Sequence, residues 1–130
     1  MKEKINIVWF KRDLRLSDHQ PLKNAFSNGL PTLLIYNFEP LLLDDGHYNE
    51  RHWRFVYQSI VDLNTQLARF NSRVYIFNED MQTLLESLHS QFAITNIFSH
   101  QEIGLNNTFE RDKTIKAWCQ HHHINWLESP

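Results

Sequence analysis

One cysteine, three glycines, four prolines and two methionines are all that this 130-residue chain has of those residue types. The lone Cys119 rules out an internal disulfide. So few glycines leave no material for a glycine-rich phosphate loop, and no G-x-G-x-x-G follows the first apolar run, which argues against a conventional dinucleotide site. No apolar stretch nears the ~18 residues that a membrane span requires. The start, MKEKINIVWF, lacks the apolar core and cleavage site of a signal peptide. With the cysteine usage, this makes the cytoplasm the expected compartment. A basic excess is also missing. Against 13 Lys and Arg stand 15 Asp and Glu, a net charge of −2, so this stretch is not expected to be a main DNA-gripping surface. What is present is globular, with 42% apolar and 22% charged residues. Eight histidines make the charge sensitive to pH below about 6.5.

The chain is organised around Ile5 to Asp18, INIVWFKRDLRLSD. Ile5, Ile7, Val8, Trp9 and Phe10 form a near-continuous apolar run, as expected of a strand covered on both faces. Lys11, Arg12, Asp13 and Arg15 follow at once, interleaved with Leu14 and Leu16. Ser17 or Asp18 is placed to cap a helix whose first turn would accept Pro21.

Beyond that point the pattern alternates. Helices are expected over about 18–28, 49–70, 81–91 and 108–121, and strands over about 4–10, 32–38, 73–77, 94–99 and 123–127. The first helix turns Leu22, Ala25 and Phe26 inward. The second has the clearest period, with Trp53, Val56, Ile60, Leu63, Leu67 and Phe70 stepping by three and four. Asn71 suits the left-handed turn after it, and Leu41, Leu42 and Leu43 are expected to fold down as a short helical turn. Asn107 and Glu110 have the spacing of a capping box. Strict alternation with short connections implies one α/β domain, a doubly wound, Rossmann-like, five-stranded parallel sheet in the order 3-2-1-4-5 with helices on both faces. Its order reverses between strands one and four, so a crevice is expected beyond their carboxyl ends.

That crevice would gather Lys11, Arg12, Arg15, Asp13, Glu102, His100 and Gln101, with Gly104 allowing close backbone approach and the first helix directing its amides inward. The mixture suits a planar heteroaromatic ligand with polar edges or a phosphate. Acyl transfer is not supported, because no Ser or Cys has a base beside it in sequence. Each charged residue also has a plainer reading: Asp13 and Arg15 as an ion pair or packing contact, Glu102 as a solvated loop carboxylate. His121, His122 and His123 with Cys119 suggest a metal. Consecutive histidines on a helix end diverge, however, and no Cys-x-x-Cys is present, so favourable charge at a helix C-terminus is the expected role and no metal is assigned. Trp9, Trp53, Trp118 and Trp126 read as core, or as a surface that a further domain would cover.

WFKRDLRLSD resembles the N-terminal signature of the photolyase and cryptochrome family. Trp9, Phe10, Asp13, Leu14, Arg15, Leu16 and Asp18 fall where the family pattern places them, while Lys11 and His19 depart from it. Ser99-His100-Gln101-Glu102 followed by Glu110-Arg111-Asp112 is similar to the family's strand-four loop. The resemblance implies an N-terminal antenna domain spanning residues 1–130, a piece of a longer protein. Such a domain carries a folate, deazaflavin or flavin pigment at the crevice of strands one and four. A helical C-terminal domain would hold FAD and bind damaged DNA. The full protein would then be a light-driven deoxyribodipyrimidine photolyase and this piece alone inactive. By the same resemblance, Glu102 is the expected folate contact; the order of the strands sets Arg12, Asp13, Leu14, Arg15, His100 and Gln101 along the same crevice, and Phe38, Glu39 and Arg51 are weaker candidates from the second strand's loop and the start of the second helix. A cryptochrome-type blue-light receptor, a standalone nucleotide-binding module of the universal-stress type and a purely structural domain with an empty crevice remain as alternatives.

Overall fold

The computed structural model describes residues 2–46, 48–102 and 106–130. The order of elements is β1 (Lys4–Phe10), α1 (Gln20–Phe26), β2 (Thr32–Asn37), α2 (Pro40–Leu43), α3 (Glu50–Leu67), a 3-10 turn (Ala68–Phe70), β3 (Val74–Phe77), α4 (Met81–Gln91), β4 (Ala93–His100), α5 (Asn106–His121) and β5 (Asn125–Ser129). The five strands form one parallel sheet in the order β3-β2-β1-β4-β5, as the alternation implies.

β1 is central, and all of its residues but Lys4 are buried. Successive side chains leave a strand on opposite faces, so β1 feeds two cores. Ile5, Ile7 and Trp9 join Leu84, Leu85 and Leu88 of α4 and Ile115, Trp118 and Cys119 of α5. Val8 and Phe10 join Leu22 and Ala25 of α1 and Val56, Ile60 and Leu63 of α3. Each such buried side chain contributes about 1.5–3 kcal/mol relative to exposure. Asn6 is the polar exception, fully buried. Its Nδ2 donates to Ala25 O and Asn28 Oδ1, both at 2.8 Å, and its Oδ1 accepts from Asn96 Nδ2 at 3.0 Å, which pins the end of the sheet opposite the charged loop.

Several local expectations change. The first helix starts two residues late because His19, not Ser17 or Asp18, is the cap. Its side chain accepts the Leu22 N–H, while Asp18 takes a positive φ of 52°. Phe26 faces solvent, 59% exposed, because the short α1 reaches the sheet only through Leu22 and Ala25. Phe70 likewise lies outside the core, 63% exposed, since the helix has tightened into the 3-10 turn before it. Asn71 is left-handed as its type suggests, with φ 56°. The Asn107–Glu110 capping box does not form. Asn107 lies within α5, its Oδ1 has no hydrogen-bond partner among the described residues, and its Nδ2 donates to Asp45 Oδ2 at 3.0 Å. No helix among the described residues is long and apolar enough to cross a membrane.

Truncating Ile97, fully buried in the centre of β4, is expected to cost roughly 2–5 kcal/mol. Phe26→Ala should stay within about 0.5 kcal/mol of the parent. Urea unfolding of the two variants beside the parent checks both.

Candidate functional site

The carboxyl ends of β1, β2 and β4 carry two adjoining recesses, and Asp13 determines the shape of one of them. This carboxylate is buried and receives three donors: the Lys11 N–H at 2.8 Å on Oδ1, and His19 Nε2 and His100 Nδ1 on Oδ2, the latter at 2.6 Å. Because His19 Nδ1 accepts the Leu22 N–H at 3.1 Å, the proton of its neutral ring sits on Nε2 and points at Asp13. Burial alone would push the Asp13 carboxyl up. The bonds from His19, the Lys11 amide and His100 outweigh it and hold Asp13 well below the usual carboxylate range.

Asp13, His19 and His100 each offer an atom within 4.8 Å of the others, a spacing that a metal ion could use. The tautomer argues against it. Metal binding at His19 Nε2 would require that nitrogen to lose its proton while Nδ1 still accepts the α1 cap. The cluster is therefore a hydrogen-bonded clamp between the β1 loop and the end of β4. It also means that the α1 amide of Leu22 is consumed by His19 rather than turned to a ligand. Cys119 is buried in the core and its thiol is pushed up by burial to about 11. The ring of His122 packs on Trp118 at 4.5 Å and on His89 at 5.3 Å.

A second charged group lies beside the clamp. Arg111 of α5 donates Nη1 to Glu39, Nη2 to Glu102 and Nε to Asp112, the last at 2.9 Å. Lys11 Nζ lies 3.6 Å from Glu102 and 3.9 Å from Asp112. Both cations sit against the Trp9 ring, at 4.3 Å for Lys11 Nζ and 4.8 Å for the Arg111 guanidinium. Burial opposes the charge of Arg111, but its three carboxylates more than offset this and hold the guanidinium protonated. Burial pushes the Glu39 carboxyl up against the pull of Arg111, and it lowers the Lys11 ammonium below its ordinary value.

Above this group opens a cavity of about 300 Å³. Trp9, Phe10 and Leu14 come from β1 and its loop, Tyr36 and Glu39 from β2 and its end, and Tyr48, His52, Trp53, Val56 and Ser59 from α3 and the loop before it. The volume is at the lower end for ligand sites, enough for a fused ring system rather than a dinucleotide. Three polar atoms of its lining residues lack hydrogen-bond partners among the described residues: the donors Lys11 Nζ and Trp53 Nε1, and the acceptor Glu39 Oε2. An unsatisfied buried group of this kind costs about 1–3 kcal/mol. The second recess, about 340 Å³, is polar and lies at the β1/β4 ends, lined by Lys11, Arg12, Asp13, Arg15, His100, Gln101, Glu102 and Pro130.

The structure thus gathers Arg12, Asp13, Arg15, His100, Gln101 and Glu102 at the crevice predicted from topology, and sets Arg12, Leu14, Glu39 and Glu102 on the aromatic cavity. Arg51, exposed on α3, lines neither recess, and Phe38 packs behind the cavity against Trp53 at 6.0 Å. Gly104 lies outside the described residues. Sequence reasoning missed the aromatic wall of Tyr36, Tyr48, His52 and Trp53. The crowding of Tyr48, His52, Trp53 and Phe55 into eight residues was the available signal. In the sequence Arg111 stands out only within the Glu110-Arg111-Asp112 motif, and its contacts with Glu39 and Glu102 arise from the fold.

With this geometry established, comparison with known proteins places the chain. The sequence profile described as DNA photolyase matches residues 6–130. The chain belongs to the DNA photolyase family. A curated relative, cryptochrome DASH of Synechocystis sp., is 28% identical over 102 residues, covering 75% of the chain and 21% of that protein. The solved Synechocystis sp. cryptochrome superposes with a TM-score of 0.89 at 20% identity, covering 98% of the chain and 27% of that structure. An archaeal photolyase from Sulfolobus tokodaii, solved with two FAD molecules and described as implying a novel light-harvesting cofactor, gives a TM-score of 0.81 at 23% identity over 96% of the chain and 29% of that structure. The chain spans about a fifth of the curated relative's length.

Replacing Asp13 by Asn is expected to cost roughly 1–3 kcal/mol near neutral pH, because two histidine donors lose their shared carboxylate. The folded-state pKa of Asp13 lies below the unfolded value of about 3.9. Its stabilisation is therefore complete above that pH and is lost as the pH falls through the lower folded value. The parent should lose stability over that acid range more steeply than D13N, as thermal melts from pH 6 to the acid limit of folding, roughly pH 2, would show.

Proposed function

We propose that this chain is the antenna domain of a light-driven deoxyribodipyrimidine photolyase. It holds a folate, deazaflavin or flavin pigment and passes excitation to FAD in a C-terminal helical domain, which repairs pyrimidine dimers in DNA. The observation that carries this reading is the aromatic cavity at the β1 and β2 ends, walled by Tyr36, Tyr48, His52 and Trp53 and bordered by the charged residues Lys11 and Glu39. Such a wall binds a planar chromophore by stacking and restricts its orientation. The orientation so imposed sets how efficiently excitation passes to a second chromophore.

The rest of the chain fits a pigment carrier rather than the repairing part. Its net charge of −2 suits neither a phosphate-gripping face nor primary contact with damaged DNA. Glu39, Glu102 and Arg111 are engaged with one another and hold the cavity wall in place. Family membership sets aside the universal-stress module. A blue-light photoreceptor of cryptochrome type would use the same cavity, and the likeness to cryptochrome DASH favours keeping that second reading. Repair of ultraviolet-damaged DNA by the full-length protein under blue light separates the two.

The full-length protein purified in the dark should show a near-ultraviolet or blue band beyond that of its flavin. Ser59→Trp, which fills the cavity, should abolish that band while the FAD content is retained. A flavin-only spectrum that persists after folate, deazaflavin and flavin are each supplied would sink the antenna role.

A further inference from the structure

The end of the sheet opposite the charged loops holds a histidine cluster that the pigment reading does not use. His89 lies in the last turn of α4, and His122 directly follows α5. Their rings meet edge to face at 5.3 Å, and both lie against Trp118, at 5.8 Å for His89 and 4.5 Å for His122. His121 stands beside His122 at 5.0 Å. From the N-terminal segment, Lys2 Nζ donates to the His89 carbonyl at 3.0 Å, and the exposed Glu3 accepts the Ala93 N–H on its own carbonyl at 2.8 Å. One turn back on α4, the Glu86 carboxylate is engaged by Gln82 at 3.0 Å. The charges that bear on the His89 ring are therefore those of Lys2 and His122.

His89 Nδ1 accepts the Ile94 N–H at 3.2 Å. An accepting Nδ1 carries no proton, so the neutral ring keeps its proton on Nε2. The sheet gives this bond its place. Between β1 and β4 the register passes from Ile5–Ile94 to Asn6–Asn96, which leaves Thr95 as an extra residue. Such a bulge disrupts the ladder locally, and His89 reaches the strand at that point.

We propose that His89 is an acid-sensitive latch: its neutral ring joins the end of α4 to the irregular start of β4, and protonation at Nδ1 releases the joint. The added proton turns the acceptor into a donor facing the Ile94 N–H. It also sets a cation beside Lys2 and His122. The carbonyl end of α4 favours a cation, but Lys2 already serves the His89 carbonyl there. Burial, with the charges of His122 and Lys2, holds the imidazole below its ordinary value. The latch is thus fully closed above the unfolded value of about 6.5, and its contribution is lost as the pH falls through the lower folded value.

Deuterium exchange of the full-length protein, read by mass spectrometry from about pH 8 to about pH 5, tests this at two kinds of site. Exchange at the imidazole C2 carbon gives the titration midpoint of His89, expected below about 6.5. Amide exchange in a peptide covering residues 92–97, corrected for the intrinsic effect of pH, should quicken by about two- to tenfold around that midpoint, the range for one hydrogen bond. A peptide from β2 should stay unchanged and reports the global fold. In H89Q the side-chain oxygen still accepts from Ile94 but does not titrate, so the acid quickening should vanish. H122A removes a neighbouring imidazole and should raise the His89 midpoint. A His89 midpoint at or above about 6.5, a flat response at residues 92–97, a response that persists in H89Q, or equal quickening in the β2 peptide overturns the inference. None of these outcomes bears on the pigment reading.

Discussion

The arrangement of the charged end of this domain depends on one guanidinium. Arg111, carried by α5, reaches over Trp9 to Glu39 beyond β2 and Glu102 beyond β4, and it holds Asp112 beside it. With Lys11, two cations face three carboxylates in a largely buried cluster. Such a cluster is stable only when complete. Removing one member leaves the others desolvated without compensation, a loss of about 3–5 kcal/mol in comparable buried pairs. The loops after three different strands are thereby fixed relative to one another by electrostatics, in a region where loops would ordinarily be the most variable part of a fold.

That fixity has a functional side. A binding site built from loop residues needs walls that do not move, because ordering them on binding would subtract from affinity. Here the floor is Trp9, buried in the central strand, and the rim is tied by Arg111 on one side and by the Asp13 clamp on the other. The aromatic wall from α3 is positioned by a helix whose Asn49 side chain accepts the His52 N–H at 3.0 Å. Rigid elements therefore carry three sides of the cavity.

The sheet was legible in the sequence because its signals are local and strong. The run Ile5–Phe10 has no other comfortable structure, and the stepping of Val56, Ile60, Leu63 and Leu67 settles α3. What was not legible depends on contacts between distant residues. His19 becomes a helix cap only because Asp13 holds its other nitrogen, and no cap preference includes that case. Asn107 has the spacing of a cap, yet it is drawn to Asp45, 62 positions away in sequence. The crevice was predictable from strand order, but its division into aromatic and polar halves was not, since Tyr48 and Trp53 enter from a loop and helix whose tilt no pattern encodes. The sequence signature around Asp13 proved to be partly architectural: its carboxylate serves neighbouring histidines.

The central position of β1 also bears on how the chain is made. Hydrogen-bonded between β2 and β4, this strand is synthesised first of the five, yet its second edge is covered only when β4 appears. At about 5–20 residues per second, the roughly 80 residues between Phe10 and Ala93 take on the order of 4–16 s to emerge. Through that interval the most apolar segment of the domain has an open edge, the kind of template on which strands of other chains assemble. The nascent polypeptide is thus most vulnerable to aggregation before its fourth strand is translated, and whatever shields β1 in the cell must act on the ribosome-bound chain.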